Sequence, residues 1–293
     1  MPKDWCPFDP GSGRVPDEFD VFIYPNDFPA FSLDSEPFSA ETGLYAKTGA
    51  RGTCDVVIYH PEHNLAPSQL SAEHWRKVVD VWTQRHRELA ALPDVQYVYI
   101  FENTGVAIGV TMPHPHGQIY ALPFIPPLVQ TELSSAREYS NARGECLYCR
   151  LRASEVADGR RVVTEAGAFV AFLPFYGRFP GEMQICPRRH FGSLSDLSSS
   201  ERRELAEILS IVRRKYDNLW KAPMPLMMLL RQRPAKGDHL YFHFHIDILP
   251  IQRSAAKLKY LASMESGTGT FLNDTLPEEQ AALLRAKEPA STP

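Results

Sequence analysis

"PHPHGQIYALPF", residues 113–124, holds two histidines two positions apart, each preceded by proline, and then runs into an apolar, strand-like stretch. A second H-x-H, His243 and His245, stands in "HLYFHFHIDILP", residues 239–250. Other landmarks repeat in the same order. "CPFD" (6–9) is echoed by "CLYC" (146–149), and "VVIYHPEH", ending at His63, is echoed by "MQICPRRH", ending at His190. Eight residues after each of those histidines stands a helix-start serine, Ser71 and Ser198, the second forming the S-x-x-E spacing of a capping box with Glu201. His114 follows His63 by 51 residues, and His243 follows His190 by 53. Four landmarks in one order at near-equal spacing read as a tandem duplication.

Each half then predicts one long amphipathic helix, with apolar positions at i, i+3, i+4 and i+7: Trp75, Val78, Val79 and Trp82 in the first, Leu205, Ile208, Leu209 and Val212 in the second. Two strand-like runs follow each helix, "VQYVYIFEN" and "HPHGQIYALPF" in one half, "PLMMLLRQ" and "HLYFHFHIDILP" in the other. Strands interrupted by single long helices predict an α+β fold of two tandem repeats, each an antiparallel sheet with its helix on one face. The repeats are expected at 1–130 and 140–275, joined through the polar stretch 127–145 and followed by a tail, 276–293, whose end "KEPASTP" frays.

The totals exclude several classes. Thirty-one Lys and Arg against 35 Asp and Glu give a net charge of −4 with no basic run, so no nucleic-acid footprint is present. The most apolar run, "MPLMMLL" (224–230), is far shorter than the roughly 20 residues that cross a bilayer. "MPKDWCPFDP" lacks the basic start and apolar stretch of a secretion signal, and a cytoplasmic protein with no membrane partner is expected. Five cysteines are too few and too uneven for a disulfide framework, so reduced thiols are expected, with Cys54 and Cys186 as small buried hydrophobes.

The remaining cysteines fall beside histidines at matching places in the repeat. Cys146, Cys149, His190 and His243 make a complete thiolate and imidazole set for tetrahedral Zn²⁺. Cys6, His63 and His114 form the equivalent set in the first half, where Asp9 replaces the second cysteine and offers a harder, carboxylate ligand. The competing reading of both sets is buried cysteines and hydrogen-bonded histidines. His74 and His86 are read as ordinary residues of the first helix.

His116 carries the chemistry. Prolines at 113 and 115 stiffen the pair, Gly117 removes a side chain beside His116, and Gln118 adds an amide on the same strand face. An imidazole, with an unperturbed pKa near 6.5, attacks phosphorus well at neutral pH, forming a phosphoramidate that awaits a second acceptor. A glutamine at 118 cannot shuttle a proton, but it can hydrogen-bond a phosphoryl oxygen. In the second half Asp247 stands in place of that glutamine and the prolines and glycine are missing, so His245 is not expected to be a second catalytic centre.

"FENTGVAIGVTMPHPHGQIYA" (101–121) resembles the active-site segment of the galactose-1-phosphate uridylyltransferases, a branch of the histidine-triad superfamily. "YPNDFPAF" (24–31), "YHPEH" (59–63), "HFHIDILPIQRSAAKLKYLAS" (243–263) and "FLNDTLPEE" (271–279) extend the likeness along most of the chain. The resemblance implies histidine-triad-like repeats, a homodimer, and transfer of UMP from UDP-glucose to galactose 1-phosphate or a related sugar 1-phosphate by a ping-pong route. His116 would hold uridylyl and Gln118 would stabilise the adduct. Asn26, Asp27 and Phe28 would meet the nucleoside, Asn103 and Thr111 the phosphates, and Lys259, Tyr260 and Glu265 the hexose. Cys6, His63 and His114 fall on zinc-ligand positions. Some members hold a second-half metal with a glutamate and three histidines; Glu132, His243 and His245 match part of that set, but Arg231 stands where the remaining histidine belongs, which favours the Cys146/Cys149 set. The sequence departs from the family's signature at Met112, where a histidine is usual, and Cys6 follows Met1 almost at once, so an arginine-bearing leading segment is not expected. Two alternatives stay open: a dinucleotide phosphorylase or adenylyltransferase of the same superfamily, and a zinc-stabilised module that binds nucleotide sugars without turnover.

Overall fold

The first half begins with β1 (Phe22–Pro25), β2 (Thr53–Ile58) and helix α1 (Ala72–Ala91), and closes with β3 (Tyr97–Thr104) and β4 (His116–Leu122). Helices α2 (Pro127–Arg143) and α3 (Leu147–Asp158) lead to β5 (Val162–Ala166), β6 (Phe169–Phe172) and β7 (Met183–Pro187). Helix α4 (Ser199–Trp220), β8 (Leu226–Arg231) and β9 (His245–Pro250) then repeat the closing moves of the first half. A small ribbon, β10 (Gln252–Ser254) with β11 (Lys257–Leu258), and helices α5 (Ser263–Thr268) and α6 (Pro277–Arg285) complete the chain. This computed structural model describes residues 5–36 and 43–287.

The two repeats share one antiparallel sheet of nine strands, in the order β1-β2-β4-β3-β8-β9-β7-β6-β5. Read inward from either side, β1-β2-β4-β3 matches β6-β7-β9-β8, and the halves meet where Ile100 pairs with Leu230. The α+β class with two tandem repeats is therefore what the chain forms, the two sharing one sheet.

Both long helices start where the serines place them. Ser71 accepts the His74 amide at 3.1 Å, and Ser198 and Glu201 close a reciprocal capping box. The two helices pack against each other on one sheet face. Trp75, Val78, Val79 and Trp82 of α1 and Leu205, Ile208, Leu209 and Val212 of α4 are all fully buried there, over Val98, Ile100 and Ile119 from one half and Met228, Leu230 and Ile246 from the other. Each such side chain contributes roughly 1.5–3 kcal/mol by leaving water, so this common core, rather than the α2 connection, holds the repeats together. The opposite sheet face is left for chemistry.

Two details differ from the sequence reading. The strands carrying H-x-H begin at the second histidine of each motif, His116 and His245, instead of at 114 and 239. Pro113 and Pro115 have no amide to donate to a ladder, and residues 239–244 turn instead, with the Phe242 amide bonded to the His239 carbonyl at 2.9 Å. Within the 276–293 stretch, Pro277 at the first helical position and Glu278 and Glu279 in the first turn start α6, whose Ala281 and Leu284 join the core. Residues 288–293 lie outside the described residues.

Candidate active site and metal clusters

His116 opens β4 beside a cavity of about 430 Å³ lined by Asn103, Thr111, Glu102, Asn64, Val106 and Pro223, among others. Its Nδ1–H donates to the His114 carbonyl at 2.8 Å. That bond sets the tautomer, because a carbonyl only accepts, and leaves the lone pair on Nε2. Phe8 meets the ring edge-on, with centroids 5.6 Å apart. Burial lowers the His116 pKa, opposed by the bond to His114 and the charge of Glu102, so the ring is neutral at physiological pH. The site thus presents an oriented, unprotonated imidazole to a space of small-ligand size.

Asn103 and Thr111, expected on the phosphate side, line the same cavity. Gln118 lies two residues along β4 on the His116 face, with Oε1 accepting from the Tyr120 hydroxyl at 3.0 Å, so its amide NH₂ remains the donor end of the group. Gly117 sits between them because a Cβ there would strike the hydroxyl of the fully buried Tyr59. Asn26, Asp27 and Phe28 follow β1 at the end of the neighbouring strands, where the Asn26 amide bonds the Cys54 carbonyl at 3.0 Å and Cys54 pairs with Tyr120. Asn26 accepts the Phe28 amide at 2.9 Å, Asp27 is held by Arg14 at 2.8 Å, and the Phe28 ring is 93 % exposed. The turn thus presents a bare aromatic ring on a backbone held by polar contacts.

Lys259, Tyr260 and Glu265 are placed elsewhere. Lys259 and Glu265 form a buried ion pair, Lys259 also reaches the Leu272 carbonyl at 2.7 Å, and Tyr260 is exposed above a depression that shares no lining residue with the His116 cavity. Within one chain these residues do not meet the nucleophile.

Both expected metal sets assemble, the four donor atoms of each lying within 4.8 Å of one another. In the second half, Cys149 Sγ is 3.3 Å from His243 Nδ1 and 3.5 Å from His190 Nδ1, and Cys146 Sγ is 3.7 Å from His243 Nδ1. Donors bound at about 2.0–2.3 Å from one tetrahedral centre lie roughly 3.3–3.8 Å apart, so the spacing fits. The outer ring nitrogens are committed: His190 Nε2–H donates to the Leu240 carbonyl at 2.7 Å and His243 Nε2–H to that of Pro187 at 3.3 Å, aiming both Nδ1 lone pairs at the thiols. Cys146 is held as thiolate, chiefly by the Cys149 thiol donating to it. This set can hold a metal ion by its own donor chemistry.

In the first half, Asp9 Oδ1 is 2.9 Å from His63 Nδ1 and 3.0 Å from His114 Nδ1, nearer to hydrogen-bond than to tetrahedral spacing. His114 Nε2–H already serves the His60 carbonyl at 2.6 Å. A neutral ring has one N–H, so His114 Nδ1 meets Asp9 through a proton shared between them or through a cation. Burial, which lowers the His114 pKa, opposes the second proton. The donor set therefore fits a cation.

The place in the second half equivalent to His116 is closed. His245 is 1 % exposed beneath Tyr148, stacked at 4.2 Å, and Asp247 is held by Arg231 at 2.9 Å and Gln184 at 3.0 Å. The Arg231 guanidinium also lies 3.6 Å from Glu132, supplying a fixed positive charge between the carboxylates. His243 belongs to the cysteine set instead. Cys54 and Cys186 are buried as expected, whereas His86 is neither exposed nor ordinary. Its Nδ1 lies 2.8 Å from the Ser195 hydroxyl, tying α1 to the second half.

Residues 6–126 match the N-terminal domain of a family described as galactose-1-phosphate uridyl transferase, and residues 132–290 match its C-terminal domain. The chain belongs to this family. It is therefore an enzyme, with both family domains present in tandem. The chain is 38 % identical to the galactose-1-phosphate uridylyltransferase of Thermotoga maritima, across 98 % of this chain and 90 % of that protein, and 32 % identical to the one of Haemophilus influenzae, across 96 % and 82 %. A solved uridylyltransferase structure superposes with a TM-score of 0.91 at 34 % identity, covering 98 % of this chain and 92 % of that one. An Arabidopsis thaliana ADP-glucose phosphorylase with bound ADP-glucose shares the fold, with a TM-score of 0.82 at 24 % identity over 98 % and 92 % of the two chains. No described helix is long and apolar enough to cross a membrane.

Proposed function

We propose that the protein moves UMP from UDP-glucose to galactose 1-phosphate, or a related sugar 1-phosphate, through a covalent uridylyl-histidine. The observation that carries this reading is the His116 Nδ1–H bond to the His114 carbonyl at the mouth of the cavity, since it leaves Nε2 as the nucleophilic atom. His116 Nε2 attacks the α-phosphorus; the N–P bond forms as the bond from phosphorus to the bridging oxygen breaks, and glucose 1-phosphate departs with that electron pair. A phosphate oxygen of the acceptor then attacks the same phosphorus; the new O–P bond forms as the N–P bond breaks, and its electron pair returns to Nε2, leaving the ring neutral. The Gln118 amide donates to a phosphoryl oxygen, Asn103 and Thr111 border the phosphates, and the Asn26–Phe28 turn receives the uracil.

Cys146, Cys149, His190 and His243 would hold a Zn²⁺ ion, which would secure α3 to the β7–β9 region by joining their side chains. Cys6, Asp9, His63 and His114 would hold a second ion, more weakly because a carboxylate replaces one thiolate. A homodimer is proposed because Lys259, Tyr260 and Glu265 lie apart from the His116 cavity of their own chain, and a second copy would bring that stretch to it. Incubating the protein with UDP-glucose or ADP-glucose, and with glucose, galactose and other sugar 1-phosphates as acceptors, tests the reading. Transfer of UMP to galactose 1-phosphate, abolished in His116→Gly while fold and metal content persist, is expected. Preferential transfer of AMP, or binding without turnover, would contradict it.

A further inference from the structure

One hydroxyl near the nucleophile has no part in transfer as described above. Alternation along β4 puts His116, Gln118 and Tyr120 on one sheet face, while Ile119 and Ala121 point the other way into the core under α1 and α4. The Tyr120 hydroxyl donates to Gln118 Oε1 at 3.0 Å, and among the described residues this is the one side-chain hydrogen bond that Gln118 makes. The tyrosine is itself held. It stands opposite Cys54 on β2 and Tyr99 on β3, its ring meets that of Phe101 edge-on with centroids 5.2 Å apart, and Phe101 stacks on Tyr99 at 5.0 Å. Burial, with the Cys54 thiol beside it, pushes the Tyr120 pKa up, so the hydroxyl keeps the proton it donates.

Resting on the proposed uridylyl-histidine, we infer that Tyr120 is a positioning residue: by bonding Oε1 it fixes which end of the Gln118 amide meets the phosphoryl group. The two ends of a primary amide are nearly equal in shape and opposite in function, since C=O only accepts and NH₂ only donates. A phosphoryl oxygen carries negative charge and accepts. With Oε1 taken by the hydroxyl, NH₂ is the end left for it. Without the hydroxyl, a half-turn of the amide exchanges the ends at little steric cost and sets a carbonyl dipole against the phosphate. The aromatic row of Tyr99, Phe101 and Tyr120 thus does more than fill the sheet face, because it holds in place the group that orients the amide. A donor oriented beforehand needs no reorganisation at the moment of reaction.

Tyr120→Phe tests this, since it removes the hydroxyl and keeps the ring against Phe101. The single-turnover rate of uridylylation from UDP-glucose should fall roughly three- to tenfold, the effect of losing one hydrogen bond. In a Gln118→Ala background the same substitution should change the rate less than about twofold, because the side chain it acts through is gone. An equal fall in both backgrounds, or an undiminished rate in Tyr120→Phe, would show a tyrosine that only packs and overturn the inference. The bond is also read without substrate. By NMR of the free protein, the side-chain carbonyl carbon of Gln118, identified by its absence in Gln118→Ala, should move upfield in Tyr120→Phe as its donor is lost; an unmoved resonance would likewise overturn the inference. A wild-type protein that forms no uridylyl adduct would sink the proposed function, whereas a moved resonance with an unchanged rate would sink this inference alone.

Discussion

The His86–Ser195 contact makes a sharp prediction about how the repeats are held together in acid. His86 is 5 % exposed, and burial, aided by the nearby Arg233 charge, pushes its pKa down to about 4. The unfolded chain, with a histidine pKa near 6.5, binds a proton that the folded chain refuses, so stability contributed by the neutral ring is complete above pH 6.5 and is lost as pH falls toward 4. Integrating between those values gives a loss of about 2 kcal/mol from pH 7 to pH 5 and about 3 kcal/mol at the acid limit. Urea unfolding of the wild type and of His86→Gln at both pH values isolates the effect, because every other titrating group, the metal clusters included, is common to the two proteins. The stability gap between them should move by about 2 kcal/mol in favour of the variant on going to pH 5. A gap that is the same at both pH values would refute the buried, neutral histidine.

Two further substitutions bear on the site. Cys149→Ser removes a sulfur donor close to both His190 and His243, and metal analysis should show one equivalent of zinc lost per chain together with a destabilisation of at least about 2 kcal/mol. Gly117→Ala drives a Cβ into the buried Tyr59 hydroxyl; unfolding measurements should show a cost of about 1–3 kcal/mol, and the shift of β4 should slow transfer.

Much of this molecule was legible because duplication repeats its own signals. The two serine caps, the apolar faces of α1 and α4 and the Cys/His sets sat at matching positions, and local chemistry alone specifies each of them: a cap needs its N3 amide, a metal set needs four donors. What the halves do together was not legible. Pairing of β3 with β8, Arg213 of α4 reaching Thr104 on β3, and His86 bonding Ser195 are contacts between residues 109 or more positions apart, or strands from different repeats, and no local pattern encodes them. The strand starts were missed for a local reason, since prolines and a turn displace the first histidine of each motif from the ladder and free it for a metal set. Lys259, Tyr260 and Glu265 were grouped with the site by resemblance, whereas the fold of one chain sets them apart.

The covalent intermediate is the most direct point of attack. The protein, mixed with UDP-glucose without acceptor, passed quickly through a desalting column, digested and analysed by mass spectrometry, should carry one uridylyl group on the peptide that contains His116, and galactose 1-phosphate should remove it. Rapid transfer with an unmodified His116 peptide, or a uridylyl group on another residue, would contradict the account.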